Sequence, residues 1–119
     1  MRASAYFDAE TDGLAQEWNG HVWLNPPYGR TLTARFAAKL VAEFDAGRVG
    51  AAIAVLNAYG FDAKWFTPLW DHVLCFTDHR IPFYGGGPTF GSVFVYLGPA
   101  PAVFAHEFAR FGPVVRRWP

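Results

Sequence analysis

Cysteine and charge are what this chain has least of: among 119 residues there is one cysteine, Cys75, and only 17% of side chains are charged. A single thiol excludes an internal disulfide and any all-thiolate zinc site, and it fits a reducing compartment. The low charge, set against 52% hydrophobic residues, excludes a disordered segment and provides enough apolar matter for a core. Long hydrophobic runs are missing as well. The longest, Val49 to Leu56, is far short of the roughly 20 residues that span a bilayer, so no membrane partner is expected. No apolar signal-peptide core follows Met1, because Asp8, Glu10 and Asp12 come almost at once, and a cytoplasmic location is expected. No internal repeat is visible, and the length predicts a single domain over 1–119.

Net charge is zero, yet the charges are unevenly placed. The first twenty residues carry Asp8, Glu10, Asp12 and Glu17 against Arg2. From His79 onward Arg80, Arg110, Arg116 and Arg117 face Glu107 alone, and eight of the ten basic residues in the chain are arginine. Arginine suits phosphate and base edges through its planar fork. Taken singly, Arg110, Arg116 and Arg117 read as solvated surface, and no basic run announces nucleic acid by itself. His72 and His79 have no metal-ligand partners at a suggestive spacing, and no metal is expected.

The pattern along the chain predicts an α/β fold. Asp12 to Trp18 reads as a turn or one short helical piece, closed by Asn19-Gly20. His21-Val22-Trp23-Leu24 reads as a short strand stopped by a rigid loop, Asn25-Pro26-Pro27-Tyr28-Gly29. Thr31 or Thr33 can cap a helix whose apolar positions Leu32, Phe36, Leu40 and Phe44 recur at helical spacing up to Gly47. Val49 to Leu56 reads as a strand buried on both faces, as in a parallel sheet. Phe61 to Trp70 reads as a short helix bent or broken around Pro68. Strands follow at His72–Phe76 and Gly91–Leu97, joined through Arg80-Ile81-Pro82-Phe83 and a glycine-rich loop over Gly85 to Pro88. Pro101 opens a last helix with Phe104, Phe108 and Phe111 on one face, Gly112-Pro113 stops it, and the tail from Val114 adds a short strand.

Chemistry concentrates at the pentapeptide after the first predicted strand. Two prolines fix φ and remove two backbone donors, so the carbonyls of Asn25 and Pro26 are held with no competing donor nearby. The Asn25 side-chain oxygen and the Pro26 carbonyl can converge on an exocyclic amino group, and Tyr28 offers a flat face for a base. Two such hydrogen bonds to an adenine N6 would draw its lone pair out of conjugation and make it nucleophilic. Methyl transfer is then an in-line displacement that needs positioning and electrostatics but no covalent enzyme intermediate. The target base would have to leave the duplex. The plain alternative for a Pro-Pro-Tyr turn is a loop stiffener.

With these residues in hand, the sequence resembles the phage-type DNA N-6-adenine methyltransferases, the Dam-like phage family. The likeness rests on Asp12-Gly13-Leu14 with Trp18, Val22-Trp23-Leu24-Asn25-Pro26-Pro27-Tyr28-Gly29-Arg30, Cys75, Arg80-Ile81 with Phe83, and Gly91 through Gly98, in that order. The resemblance implies a partial class I, Rossmann-like methyltransferase sheet flanked by helices, in which Asn25, Pro26, Pro27 and Tyr28 form the catalytic corner that holds adenine. It implies S-adenosylmethionine as methyl donor, with Asp12, Gly13 and Leu14 on the donor side. It also implies double-stranded DNA as partner, contacted by Arg30 and Arg80, in a bacterial host or its prophage. For Asp12 an ordinary turn or N-cap aspartate stands beside this reading, and for Arg80 a structural salt bridge.

One departure bears on activity. Family members carry a Leu-Asp-containing strand ahead of the Asp-Gly-Leu block, and no such segment precedes Tyr6-Phe7-Asp8 here. Gly98-Pro99-Ala100-Pro101 offers no substitute cofactor loop. The expectation is a truncated or minimal enzyme that keeps the target-base part of the fold, with a second copy or a partner chain covering the exposed sheet edge. The alternative is a catalytically inactive DNA-binding or protein-interaction remnant of the same scaffold.

Overall fold

A computed structural model describes residues 5–7, 20–25, 30–57, 61–77 and 92–118, for 5–7 and 30–32 by backbone alone. The elements are β1 (Ala5–Phe7), β2 (Gly20–Leu24), α1 (Arg30–Asp45), β3 (Val49–Asn57), a 3-10 helix (Lys64–Asp71), β4 (Val73–Phe76), β5 (Ser92–Leu97), α2 (Pro101–Phe108) and β6 (Val114–Val115). The strands form one mixed sheet in the order β1-β2-β3-β5-β4-β6. β1, β2 and β3 run parallel, and β5 and β6 run against them. The chain is therefore α/β, as the sequence predicts.

Strict alternation builds the two faces of this sheet. Val22 and Leu24 of β2, Ala52, Ala54 and Leu56 of β3, and Val93, Val95 and Leu97 of β5 point to one side, where Phe36 and Leu40 of α1 and Phe66 and Leu69 of the 3-10 helix complete the core. Ala51, Ile53, Val55, Cys75, Phe94 and Tyr96 point to the other, against Phe104 of α2. All six residues of β5 are buried, which explains why its sequence after Ser92 is apolar on both faces from Val93 to Leu97. The stacked rings of Tyr96 and Phe104, with centroids 5.1 Å apart, hold α2 on the sheet, and the Tyr96 hydroxyl accepts the Ala100 N–H at 2.9 Å.

Local chemistry fixes where the elements stop. α1 ends in a Schellman turn: Gly47, at φ 83°, donates to the Phe44 carbonyl at 3.0 Å and Arg48 donates to the Glu43 carbonyl at 3.1 Å. α2 runs on through a turn to Phe111, and Gly112 stops it there. Two expectations need correction. α1 starts at Arg30, so Thr31 and Thr33 lie within its first turn rather than capping it. Pro68 lies inside the 3-10 helix and does not break it, because the tighter winding runs on to Asp71. The strand at Ala5–Phe7 was not expected from its three residues. The predicted piece over 12–18 and the glycine-rich loop lie outside the described residues.

The end of α1 is tied by a buried carboxylate. Glu43 accepts from Lys39 Nζ at 3.1 Å and from Arg48 Nε. The hydrogen bond from Arg48 outweighs the opposing effect of burial and holds the Glu43 pKa down at about 2, against an ordinary 4.5. The folded chain thus binds this proton less readily than the unfolded one. The stabilisation is complete above about pH 4.5 and is lost as pH falls towards about 2. Urea denaturation from pH 6 to pH 2 should show the loss in the wild type, and Glu43→Gln should remove that part of the dependence.

Candidate functional site

Register places the first predicted site residue at one edge of the sheet. Leu24 pairs with Ala54, Ala54 with Val95, Val95 with Leu74, and Leu74 with Val115, so these five residues lie in one row across the sheet. Asn25 follows Leu24 directly and stands exposed past the carboxyl end of β2. β3 continues beyond that row through Val55, Leu56 and Asn57, and Asn57 pairs with Ser92 at the start of β5. At about 3.3 Å per residue the end of β3 rises roughly 7 Å above the level of Asn25. Asn25 therefore stands at the foot of a step, with β1 ending at Phe7 on its other side.

The far part of the same edge is closed by side-chain hydrogen bonds. Thr77 Oγ1 donates to the Ser92 carbonyl at 3.1 Å and accepts the Ser92 N–H at 3.2 Å, while the Thr77 N–H donates to the same carbonyl at 3.0 Å. Thr77 and Ser92 are thereby joined at the rim. The amino end of α1 also belongs to this edge, with no acidic residue in its first turn, so the helix dipole adds partial positive charge there. Crevices outside the carboxyl ends of parallel strands are where open α/β sheets bind ligands.

Of the residues singled out from the sequence, the structure describes Asn25 and the backbone of Arg30, which opens α1 at this same edge. Pro26, Pro27 and Tyr28, the donor-side group Asp12, Gly13 and Leu14, and Arg80 lie outside the described residues. Sequence reasoning gave Asn57 and Thr77 no part in the site and took Ser92 only as part of a strand and of the family-like block. The signal for these three was a polar residue terminating an apolar run.

Among the described residues the two groups with clearly displaced pKa values are at the opposite edge. Glu43 is one. His72, half buried against the Phe44 ring, is the other: burial lowers its pKa, and the nearby Asp71 and Asp45 oppose that more weakly. Among the described residues no three His, Cys, Asp or Glu side chains cluster as a metal site, and no helix is long and apolar enough to cross a membrane. No family model, curated protein or solved structure matches this chain.

Two substitutions separate the working side chain from the frame. Asn25→Ala should change unfolding free energy by less than about 0.5 kcal/mol, because the side chain is exposed. Thr77→Val should cost about 1–2 kcal/mol, because it leaves the buried Ser92 N–H without its acceptor. Chemical denaturation of both variants measures the contrast.

Proposed function

We propose that this chain is the target-base part of a DNA adenine-N6 methyltransferase, with a partial class I methyltransferase sheet. The observation that carries the reading is the position of Asn25: exposed, directly past the carboxyl end of a parallel strand, and followed in sequence by Pro26-Pro27-Tyr28. An acceptor needed for a flipped base is useful only where the base can arrive from solvent, and the carboxyl edge is such a place.

In this reading the Asn25 side-chain oxygen and the Pro26 carbonyl accept the two N6 hydrogens of adenine, and Tyr28 stacks on its ring. The N6 lone pair, freed from conjugation, forms the new N–C bond, and the surplus proton passes to solvent. When bound, S-adenosylmethionine would supply an electrophilic methyl group, the C–S electron pair remaining on sulfur. Of the described glycines, Gly20, Gly47, Gly50 and Gly98 lie at the opposite edge and Gly112 is buried where α2 ends, so none of them is offered as a cradle for the donor. The donor side rests on Asp12, Gly13 and Leu14. Arg30, which opens α1 at the carboxyl edge, and Arg80 are the proposed contacts to duplex DNA.

The test is methyl transfer from labelled S-adenosylmethionine to adenine-containing duplex DNA, read as N6-methyladenine after digestion. The wild type should methylate, and Asn25→Ala should lower the rate by two to three orders of magnitude, the scale on which loss of one preorganised polar group acts. A folded wild type that neither binds the donor nor methylates DNA would remove the enzymatic reading and leave the inactive-remnant alternative.

A further inference from the structure

The arginines near the end of the chain, unremarkable one by one, are gathered by the fold along a single lateral edge. β6 is the outermost strand beyond β4, with Val114 beside Cys75 and Val115 beside Leu74. The Phe76 N–H donates to the Pro113 carbonyl at 3.0 Å, so this segment runs from the carboxyl edge down the side of the sheet. Arg110 lies just before it, its guanidinium 4.9 Å from the Phe111 ring centroid, and exposed Arg116, Arg117 and Trp118 follow it. Trp118 is 90% exposed, more than any other large hydrophobic residue among those described.

Carboxylates are few along this edge: Asp71 lies on it and Asp45 acts on the neighbouring His72. Between Gly98 and Trp118 the only carboxylate is Glu107, which lines a different cavity beside His21 and Phe104. Asp71 pairs with Arg117 at 3.2 Å, but both side chains are more than half exposed, and such a pair holds an arginine only weakly. Arg116 has no ion-pair partner among the described residues. Beside the two arginines an open cavity of about 370 Å³ is lined by Asp71, His72, Tyr96 and Gly98.

We propose that this edge binds a nucleic-acid strand, with Arg116 and Arg117 on successive phosphates and Trp118 against an accessible base. Two planar guanidinium forks next to an exposed indole match the alternation of phosphate and base along a strand. An acidic peptide presents charge without a flat ring for the indole. Four strand spacings separate β6 from β2, roughly 19 Å at about 4.8 Å each. The edge is therefore a second contact, distinct from the adenine corner at Asn25, and it goes beyond the methyl-transfer reading.

Fluorescence anisotropy of a labelled oligonucleotide, single-stranded and duplex, with the full chain from 50 to 300 mM KCl tests the proposal. The Arg116→Ala/Arg117→Ala double variant should flatten the slope of log K against log salt by about 2 on duplex, close to one for each phosphate no longer neutralised. Trp118→Ala should weaken single-strand binding roughly tenfold, with Trp118→Phe restoring most of it. Since Trp118 is exposed and the Arg117 pair is at the surface, circular dichroism should show the variants folded. An unchanged slope in the double variant overturns the proposal, as does displacement of the oligonucleotide by polyglutamate of equal charge. An unchanged single-strand affinity in Trp118→Ala overturns the base contact. Methyl transfer is not read in this experiment, so an inactive enzyme with the predicted slope change counts against the methyltransferase reading alone.

Discussion

Parallel pairing of β2 with β3 is the constraint on which the rest of this molecule depends. Two parallel neighbours cannot be joined by a tight turn, so the chain must return the full length of the sheet between them, and α1 does so. The return succeeds because the helix ends where it must. Gly47 takes the left-handed conformation, Arg48 reaches back to Glu43, and the Gly20 N–H donates to the Arg48 carbonyl at 3.0 Å to start the pairing. A helix that overran Asp45 would delay the start of β3 and change its alignment with β2. Because side chains alternate along a strand, a slip of one residue in β3 would turn Ala52, Ala54 and Leu56 to the other face of the sheet.

From that pairing follows the one place in the described structure where a strand end is exposed, polar and flanked by a taller neighbour. Asn25 follows a buried leucine with no room for slack: Leu24 is fully buried and Asn25 is exposed. A side chain whose backbone is anchored by a fully buried neighbour loses little freedom when it meets a partner, as the proposed positioning role requires. The opposite edge has a different character. It holds the helix-end ion pairs, the half-buried His72, and Gly20 and Gly47, which serve the turnings of the chain.

Much of this was legible in the sequence because its causes are local. The helical spacing of Phe36, Leu40 and Phe44, the apolar runs of β3 and β5, and the strand stopped by Asn25-Pro26 each follow from short-range pattern. What was not legible depends on pairing partners. No local feature states that β5 inserts between β3 and β4, reversing the direction of the sheet there. The start of α1 was misplaced because threonine suits both a cap and a first turn, and Pro68 was misjudged because a 3-10 helix tolerates what an α-helix does not. In the candidate site, Asn25 announced itself through the prolines beside it. Asn57, Thr77 and Ser92 gained their place only when the register brought their strand ends to the same rim.

The central claim is that Asn25 receives an aromatic amino group at the carboxyl edge. Its most direct test is to titrate adenosine into nitrogen-15-labelled protein while following the Asn25 side-chain amide, assigned by its disappearance in Asn25→Ala. The account predicts a saturable shift of that resonance with adenosine and none with inosine, which has an oxo group in place of the N6 amino group. An Asn25 amide that stays fixed while adenosine shifts resonances elsewhere, or that moves equally with both nucleosides, would contradict it.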